Sequence, residues 1–493
     1  MANYVLEAKD CLPFNVNKGT SQAPIDAAMR QLCNYWYTAD GNAGDDDYLA
    51  CMRTAPVAGD TEVSPESERS EEPTTGWWAG RYIGLAHLRV PSTGKNPHQF
   101  EISIRPRFGE KFLLAILEDI YNIKVITQEA SDSNSPEWFS SLLNLLRRRM
   151  WVDKCAKANR YGLPRTNVKR EHQGVILRGA LDIRRTIMPW MLKKEVCTNT
   201  FEKTLDDRIC KIVYEAHRIL SRNIVSLDRK RKKDDHKKLQ GIGFSMPTTV
   251  QDTINALNSQ YKGTTFDLTE NDYQRIRYKS IYQSWKPLVD FSWSVIKGRQ
   301  LSYKASESQT DCVFVDMAEI WESFLRKKLG EGLKDNGWRV LSVEECHFRI
   351  YKDKFFERDI IPDIILERES KEYMVFDAKY KRMRGIKAKG RYSDVDRSDL
   401  FQIHTYIQYV QQNLGKVVLG GLLYPITSDD GDIDSQSFHS AHLFGNEGDT
   451  PPFIVDGVVC REEETEEKTN LEDNVKKMIG RIRDLVANIK KLH

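Results

Sequence analysis

Two short runs of this chain bring acid, acid and amine within reach of one another. Ile361-Pro362-Asp363-Ile364-Ile365-Leu366 is followed by a polar stretch, Glu367 to Glu372, and then by Tyr373-Met374-Val375-Phe376-Asp377-Ala378-Lys379-Tyr380. Both runs are rich in branched and aromatic residues and read as strands, with the polar stretch as a hairpin connection. Antiparallel pairing about a turn centred near Ser370 sets Asp363 opposite Asp377. The two-residue period of a strand puts Asp377 and Lys379 on one face, with Met374, Phe376, Ala378 and Tyr380 on the other. Two carboxylates this close repel unless a cation lies between them. The pair therefore points to a hard divalent ion, Mg²⁺ or Mn²⁺, that takes oxygen ligands and substrate phosphate. Such an ion polarises a phosphoryl oxygen and acidifies a bound water. Lys379 would orient or help deprotonate that water, or balance charge building on the phosphate. An Asp-x-Lys in a strand is by itself usually a surface charge pair; the Pro-Asp fourteen residues upstream of Asp377, in matching register, sets this one apart.

The flanking elements must hold that hairpin. Asp316 to Phe324 reads as a helix with Met317, Ile320, Trp321 and Phe324 on its apolar stripe. Glu322 lies next to the stripe, where it could serve as a further metal ligand or hold a water; the alternative is an exposed carboxylate. A second helix begins at Ser398, the expected N-cap. It places Gln402 and Tyr406 one turn apart, suited to support the active strand or a phosphate, or to a structural role. Between strand and helix, Lys379 to Arg391 carries Lys379, Lys381, Arg382, Arg384, Lys387, Lys389 and Arg391 and no acidic residue. A basic loop beside a carboxylate centre is what a DNA backbone requires.

The rest of the chain sets bounds. At 493 residues, two or three domains are expected. With 40% hydrophobic and 29% charged residues the composition is globular, and a net charge of +3 leaves any nucleic-acid signal to local clusters. The nine cysteines are scattered, odd in number and without a C-x-x-C pair, which argues against a disulfide framework or structural zinc and for reduced thiols. The Met1-Ala2-Asn3-Tyr4 start shows no leader, and the most apolar stretch, Val417 to Ile426, is too short to span a membrane. A cytoplasmic protein is expected. Residues 1–130 read as a β-containing domain with a helix near Pro24 to Tyr37, strands at Trp77 to Val90 and Phe100 to Ile104, a helix at Lys111 to Tyr121, and a flexible loop at 53–76. Residues 131–304 read as mainly helical, with a mixed-charge run from Asp228 to Lys238 that is more simply a solvated segment than a phosphate grip. The catalytic α/β domain is expected at 305–430, and a C-terminal extension at 431–493 ends in an amphipathic helix, Leu471 to Leu492, that packs on this protein or on a partner.

Taken together, Val315-Asp316-Met317, Trp321-Glu322, Pro362-Asp363, Asp377-Ala378-Lys379-Tyr380-Lys381, Asp399-Leu400-Phe401-Gln402, Tyr406 and Leu423-Tyr424-Pro425 resemble the McrC family. McrC is the nuclease subunit of the McrBC modification-dependent (5-methylcytosine) restriction system. Gly162-Leu163-Pro164-Arg165, Leu177-Arg178-Gly179-Ala180-Leu181-Asp182 and Ile104-Arg105-Pro106-Arg107 extend the resemblance over roughly residues 80–430. It implies a PD-(D/E)xK, restriction-endonuclease-like fold with catalytic residues Asp363, Asp377, Lys379 and Glu322. It implies an McrB-like AAA+ ring that hydrolyses GTP, on which residues 1–130 would dock, and a double-stranded DNA substrate. In agreement, no G-x-x-x-x-G-K-[ST] run occurs, so a nucleotide motor would be another chain. The chain departs from the family in extra material at 1–76 and 228–238. A stand-alone restriction or repair nuclease, a junction resolvase and a non-cleaving GTPase-activating scaffold are the competing readings.

Overall fold

The computed structural model describes residues 3–15, 22–36, 48–54, 75–91, 97–121, 136–231, 246–301, 312–353, 355–369, 371–381, 383–384, 395–427, 440–442, 451–460 and 469–492. The chain divides into two compact units. One gathers Met1–Glu129 with Phe314–His493; the other takes Ala130–Lys237 and Gly243–Val313.

Two sheets organise the first unit. In the smaller, Asn3–Lys9 pairs parallel with His98–Arg105, which pairs antiparallel with Tyr82–Val90, and Val313–Asp316 completes the order. The larger sheet runs Arg339–Val340, Ile364–Arg368, Glu372–Ala378, Lys416–Thr427, Pro452–Cys460 and Ser440–His442, with Met383–Arg384 also pairing Lys416–Thr427. Its pairing is antiparallel within the Ile364–Arg368/Glu372–Ala378 hairpin and parallel across the next two junctions. The sheet thus continues past residue 430. Pro452–Cys460 is one of its strands, and the helix Thr469–Leu492 lies on that strand and on the helix Met317–Gly332. Val475, Met478, Ile479, Ile482 and Val486 are buried there, and Arg481 pairs with the buried Asp456 at 2.7 Å. The two parallel strands approach so closely that a Cβ at Gly457 would lie 1.8 Å from the Tyr424 carbonyl oxygen.

Strand alternation decides what each face of this sheet meets. Ile365, Tyr373, Val375, Leu422, Tyr424 and Ile426 share a core with Ile403, Ile407 and Val410 of the helix Arg397–Asn413. Asp363 and Asp377 have the parity of Ile365 and Val375, so they belong to the same face. The helix Met317–Gly332 buries Met317, Ile320, Trp321, Phe324, Leu325 and Leu329. Its Asp316 cap accepts the Ala318 N–H at 2.8 Å and a two-pronged pair from Arg81, with Nε at 3.0 Å and Nη2 at 2.9 Å. That pair ties the smaller sheet to the start of the helix.

The structure differs locally from the sequence reading. The helix near the N-terminus is Gln22–Trp36, and the next is Gly109–Tyr121. Residues 53–54 and 75–76, read as loop, pair as Ala50–Thr54 with Thr75–Ala79, while 55–74 lie outside the described residues. In the second unit, the helices Pro136–Ala158, Asp207–Arg231, Thr248–Tyr261 and Lys286–Leu301 enclose Trp151 and Trp285. Within the region read as mainly helical, the stretch 165–205 contains a three-stranded antiparallel sheet of Arg165–Gly174, Val196–Leu205 and Ala180–Leu181, besides the helix Ile183–Lys193. The strand Arg165–Gly174 is largely exposed on both faces and Val196–Leu205 buries only Thr198, so neither carries an apolar alternation to announce it. Of the run 228–238, Asp228 to Arg231 finish the helix Asp207–Arg231 and the remainder lies outside the described residues.

Candidate active site

The hairpin register aligns the two acids. Ile364 pairs with Phe376 and Ile365 with Val375; one further step along the same ladder reaches Asp363 and Asp377. Asp363 stands just outside its strand and accepts the Ala378 N–H on Oδ2 at 2.8 Å, which closes the hairpin at its open end. The Arg326 guanidinium donates to the Asp363 carbonyl, fixing that backbone from the helix side. Burial pushes the Asp363 carboxyl well above the usual carboxylate range, and the neighbouring Asp377 and Glu322 push it further. Glu322, partly buried on Met317–Gly332, is therefore near enough to feel the pair.

Asp377 is 1% exposed, and its counter-charge is Lys379, whose Nζ stands 2.7 Å from Asp377 Oδ2. The same ammonium is 3.2 Å from Asp399 Oδ1 and donates to Gln402 Oε1 at 2.8 Å. Burial would lower the Lys379 pKa, but Asp377, Asp399 and Asp363 outweigh it and raise it. Gln402 is oriented in turn by donating from Nε2 to Tyr406 Oη at 2.8 Å. The Tyr406 phenol is pushed up to about 12, by burial first, with Asp377 and Asp363 adding to it. Gln402 and Tyr406 thus hold the Lys379 amine, and no phosphate is needed to explain their spacing.

Asp399 was not singled out from the sequence, yet it is 4% exposed and bridges Lys379 to Lys381, the latter at 3.0 Å. A helical signal was available: Asp399, Gln402 and Tyr406 follow the i, i+3, i+7 spacing of one helix face. The cap of that helix is Asp396 and not Ser398. The Asp396 carboxylate accepts the Ser398 N–H at 3.1 Å, so the helix starts at Arg397. A carboxylate is as good an N-cap as a serine hydroxyl and also pairs with Lys381 at 3.4 Å. Lys381, read as a DNA contact, is therefore engaged by two acids. Arg384 is described only through its backbone, in Met383–Arg384, while Arg382, Lys387, Lys389 and Arg391 lie outside the described residues.

Among the described residues, no three His, Cys, Asp or Glu side chains converge tightly enough to cage a metal ion. The site offers an aligned carboxylate pair with Glu322 nearby, a donor set that suits an ion keeping waters and substrate oxygens as its other ligands. The raised Asp363 titration is the charge excess such an ion would relieve.

A family model described as McrBC 5-methylcytosine restriction system component matches residues 79–425. The chain belongs to this McrBC family. It is a component of a restriction system, and the matched span includes Asp363, Asp377, Lys379, Gln402 and Tyr406. No curated protein matches it. Among solved structures, it is similar to the refined half-complex from a tetradecameric assembly of Thermococcus gammatolerans McrB AAA+ hexamers with bound McrC. That similarity has 14% identity and a TM-score of 0.40, and covers 98% of this chain and 100% of that chain. A second is the cryo-EM structure of the Thermococcus gammatolerans McrBC complex, at 14% identity and TM-score 0.29, covering 67% of this chain and 88% of that chain. Among the described residues, no helix is long and apolar enough to cross a membrane. None of the nine cysteines, all of them described, forms a disulfide.

Proposed function

We propose that this chain is the nuclease subunit of its restriction complex, hydrolysing phosphodiester bonds in double-stranded DNA with Mg²⁺ or Mn²⁺ held by Asp363 and Asp377. The observation that carries this reading is the alignment of two partly and fully buried carboxylates with Lys379 2.7 Å from the second. Burial and the neighbouring Asp377 and Glu322 all oppose ionisation of Asp363, and a perturbation of this kind marks a candidate functional site. A bound divalent ion would supply polarisation of the phosphoryl group and an acidified water. Glu322 lies close enough to hold a coordinated water. Lys379, tethered by Gln402 and Asp399, keeps its ammonium beside the reacting phosphate, where it offsets developing negative charge. The PD-(D/E)xK reading of Pro362-Asp363 and Asp377-Ala378-Lys379 agrees with this division of roles. The basic run from Lys381 to Arg391 would follow the DNA backbone.

Because the chain contains no phosphate-binding loop of its own, the GTP-hydrolysing part of the complex is an McrB-like AAA+ ring, which this chain docks on and stimulates. The test mixes purified chain, cognate ring protein, GTP, Mg²⁺ and methylated linear DNA, and measures cleavage and GTP hydrolysis together. Asp377→Asn and Lys379→Met should each lower cleavage by about 10²–10³-fold, while stimulating GTP hydrolysis as the parent does. Cleavage by Asp377→Asn at the parent rate would refute the site. Cleavage by the parent without ring protein or GTP would make it a stand-alone nuclease.

A further inference from the structure

The sequence enters the active site at Lys379 and leaves it at Lys381, just beyond the last residue of the strand Glu372–Ala378. Three successive residues there lack sheet neighbours on one side and need other anchors. The Lys379 N–H donates to the Leu423 carbonyl at 2.9 Å. The Tyr380 ring, 3% exposed, lies under the Arg107 guanidinium at 4.6 Å and tilts against Trp321 at 6.4 Å. The Lys381 carbonyl accepts from Arg107 Nη2 at 3.0 Å. One arginine, just past the end of the strand His98–Arg105, thus grips both residues that follow Lys379.

Arg107 is itself 1% exposed, an expensive place for a guanidinium unless it is paired. Its partner is Asp10, which is 0% exposed. Asp10 Oδ1 accepts the Arg107 N–H at 2.6 Å, and Oδ2 stands 3.8 Å from Arg107 Nε. The two residues meet because Asn3–Lys9 and His98–Arg105 are parallel neighbours with Lys9 opposite Arg105, so the chain leaves both strands side by side. The Arg107 guanidinium also stacks on Phe108 at 4.7 Å, so it is clamped between two rings. A buried arginine aimed at one backbone carbonyl and one aromatic ring specifies geometry more than it stabilises, since an apolar replacement of such a pair is often no less stable.

We propose that Asp10 and Arg107 are positioning residues for the nuclease, fixing Tyr380 and the Lys381 carbonyl so that the Lys379 amine stays on Asp377. This rests on the function proposed above. The smaller sheet is therefore part of the catalytic apparatus, although none of its residues touches the reacting atoms. A shift at the ends of Asn3–Lys9 or His98–Arg105 reaches Lys379 through Arg107 and through Cys11, whose Sγ donates to the Tyr380 carbonyl at 3.9 Å.

The test uses the full chain with its partner, in the double variant Asp10→Asn/Arg107→Met, which removes both charges and keeps the volume, and in Arg107→Lys. Cleavage kcat should fall about 10–100-fold, the usual cost of slight misplacement, while KM for DNA stays within about twofold. Adding the double variant to Lys379→Met should cause no loss beyond that of Lys379→Met alone, because both act through the same amine; a general folding defect would add its own. Hydrogen exchange gives a readout free of activity. The peptide spanning Lys379–Lys381 should exchange faster in both variants, with Ile364–Arg368 unchanged. Unaltered exchange at Lys379–Lys381 overturns the proposal, as does parental kcat in a background where Lys379→Met alone is inactive. If Lys379→Met itself cleaves at the parent rate, the nuclease reading is what fails, and the exchange result alone decides the anchor.

Discussion

Lys379→Met and Asp363→Asn each remove one ionisable group from the same site, yet they should move the stability of the metal-free protein in opposite directions. Methionine replaces the lysine stem but leaves Asp377, 1% exposed, without its ion pair at 2.7 Å. Breaking a buried pair from one side costs about 3–5 kcal/mol. Asp399 retains Lys381 at 3.0 Å, so the loss falls mainly on Asp377 and the lower figure, about 3 kcal/mol, applies. Asparagine at 363 keeps the acceptor for the Ala378 N–H and removes a charge that burial, Asp377 and Glu322 all oppose. For a unit of this size about 2 °C accompanies each kcal/mol, giving a Tm about 6 °C lower for Lys379→Met, whereas the Tm of Asp363→Asn should rise. The assay is calorimetry at neutral pH with a chelator present. The sign with pH is also fixed. Above the usual carboxylate range the unfolded chain has released the Asp363 proton while the folded chain still holds it, so parent stability falls as pH rises to the raised pKa and is level beyond it. The advantage of Asp363→Asn should therefore vanish in acid and grow with pH. Equal stability of Lys379→Met and parent, or loss of stability in Asp363→Asn at neutral pH, would refute this charge balance.

Two further expectations concern other parts of the chain. His217 has its pKa lowered from 6.5 to about 4, by burial first and then by Arg148; the second unit should therefore be fully stable above pH 6.5 and lose about 3 kcal/mol as pH falls to 4, measured by urea unfolding, and parent-like acid sensitivity in His217→Gln would exclude that cause. Charge reversal at Lys387 and Lys389 should weaken binding of all DNA sequences alike and flatten the log–log salt slope by about 0.9 per lost phosphate contact; a loss restricted to one sequence in a fluorescence-anisotropy titration would mean that these residues read bases.

Placing Asp10 and Arg107 beneath the site also bears on how partner docking is tested. A truncation of residues 1–130 would remove Asp10, Arg107 and Arg81 together, and with them the anchors of Tyr380, Lys381 and Asp316. Lost cleavage in such a truncation could not be assigned to lost docking. Surface substitutions on the smaller sheet, scored by GTP hydrolysis, separate the two.

The sequence by itself determined the features that depend on near neighbours. A turn centred near Ser370 and strict alternation are enough to set Asp363 across from Asp377 and to put Lys379 on the same face, because in a hairpin register follows from local geometry alone. The apolar stripe of Met317–Gly332 and the buried face of Thr469–Leu492 were legible for the same reason. Only the tertiary structure decided the rest. Pro452–Cys460 joins the sheet in parallel, and a parallel pair is set by a crossover rather than by a turn, so nothing local in 431–493 reveals it. The ribbon at 165–205 buries no apolar side chain in its two long strands and so lacks the alternation that marks a strand. Asp399 meets Lys379 by the docking of a helix, and Arg107 meets Tyr380 across 273 positions of sequence, each just past the end of a strand of a different sheet. A charge far away in the chain acquires its role from what it is buried against, and burial is a property of the folded molecule.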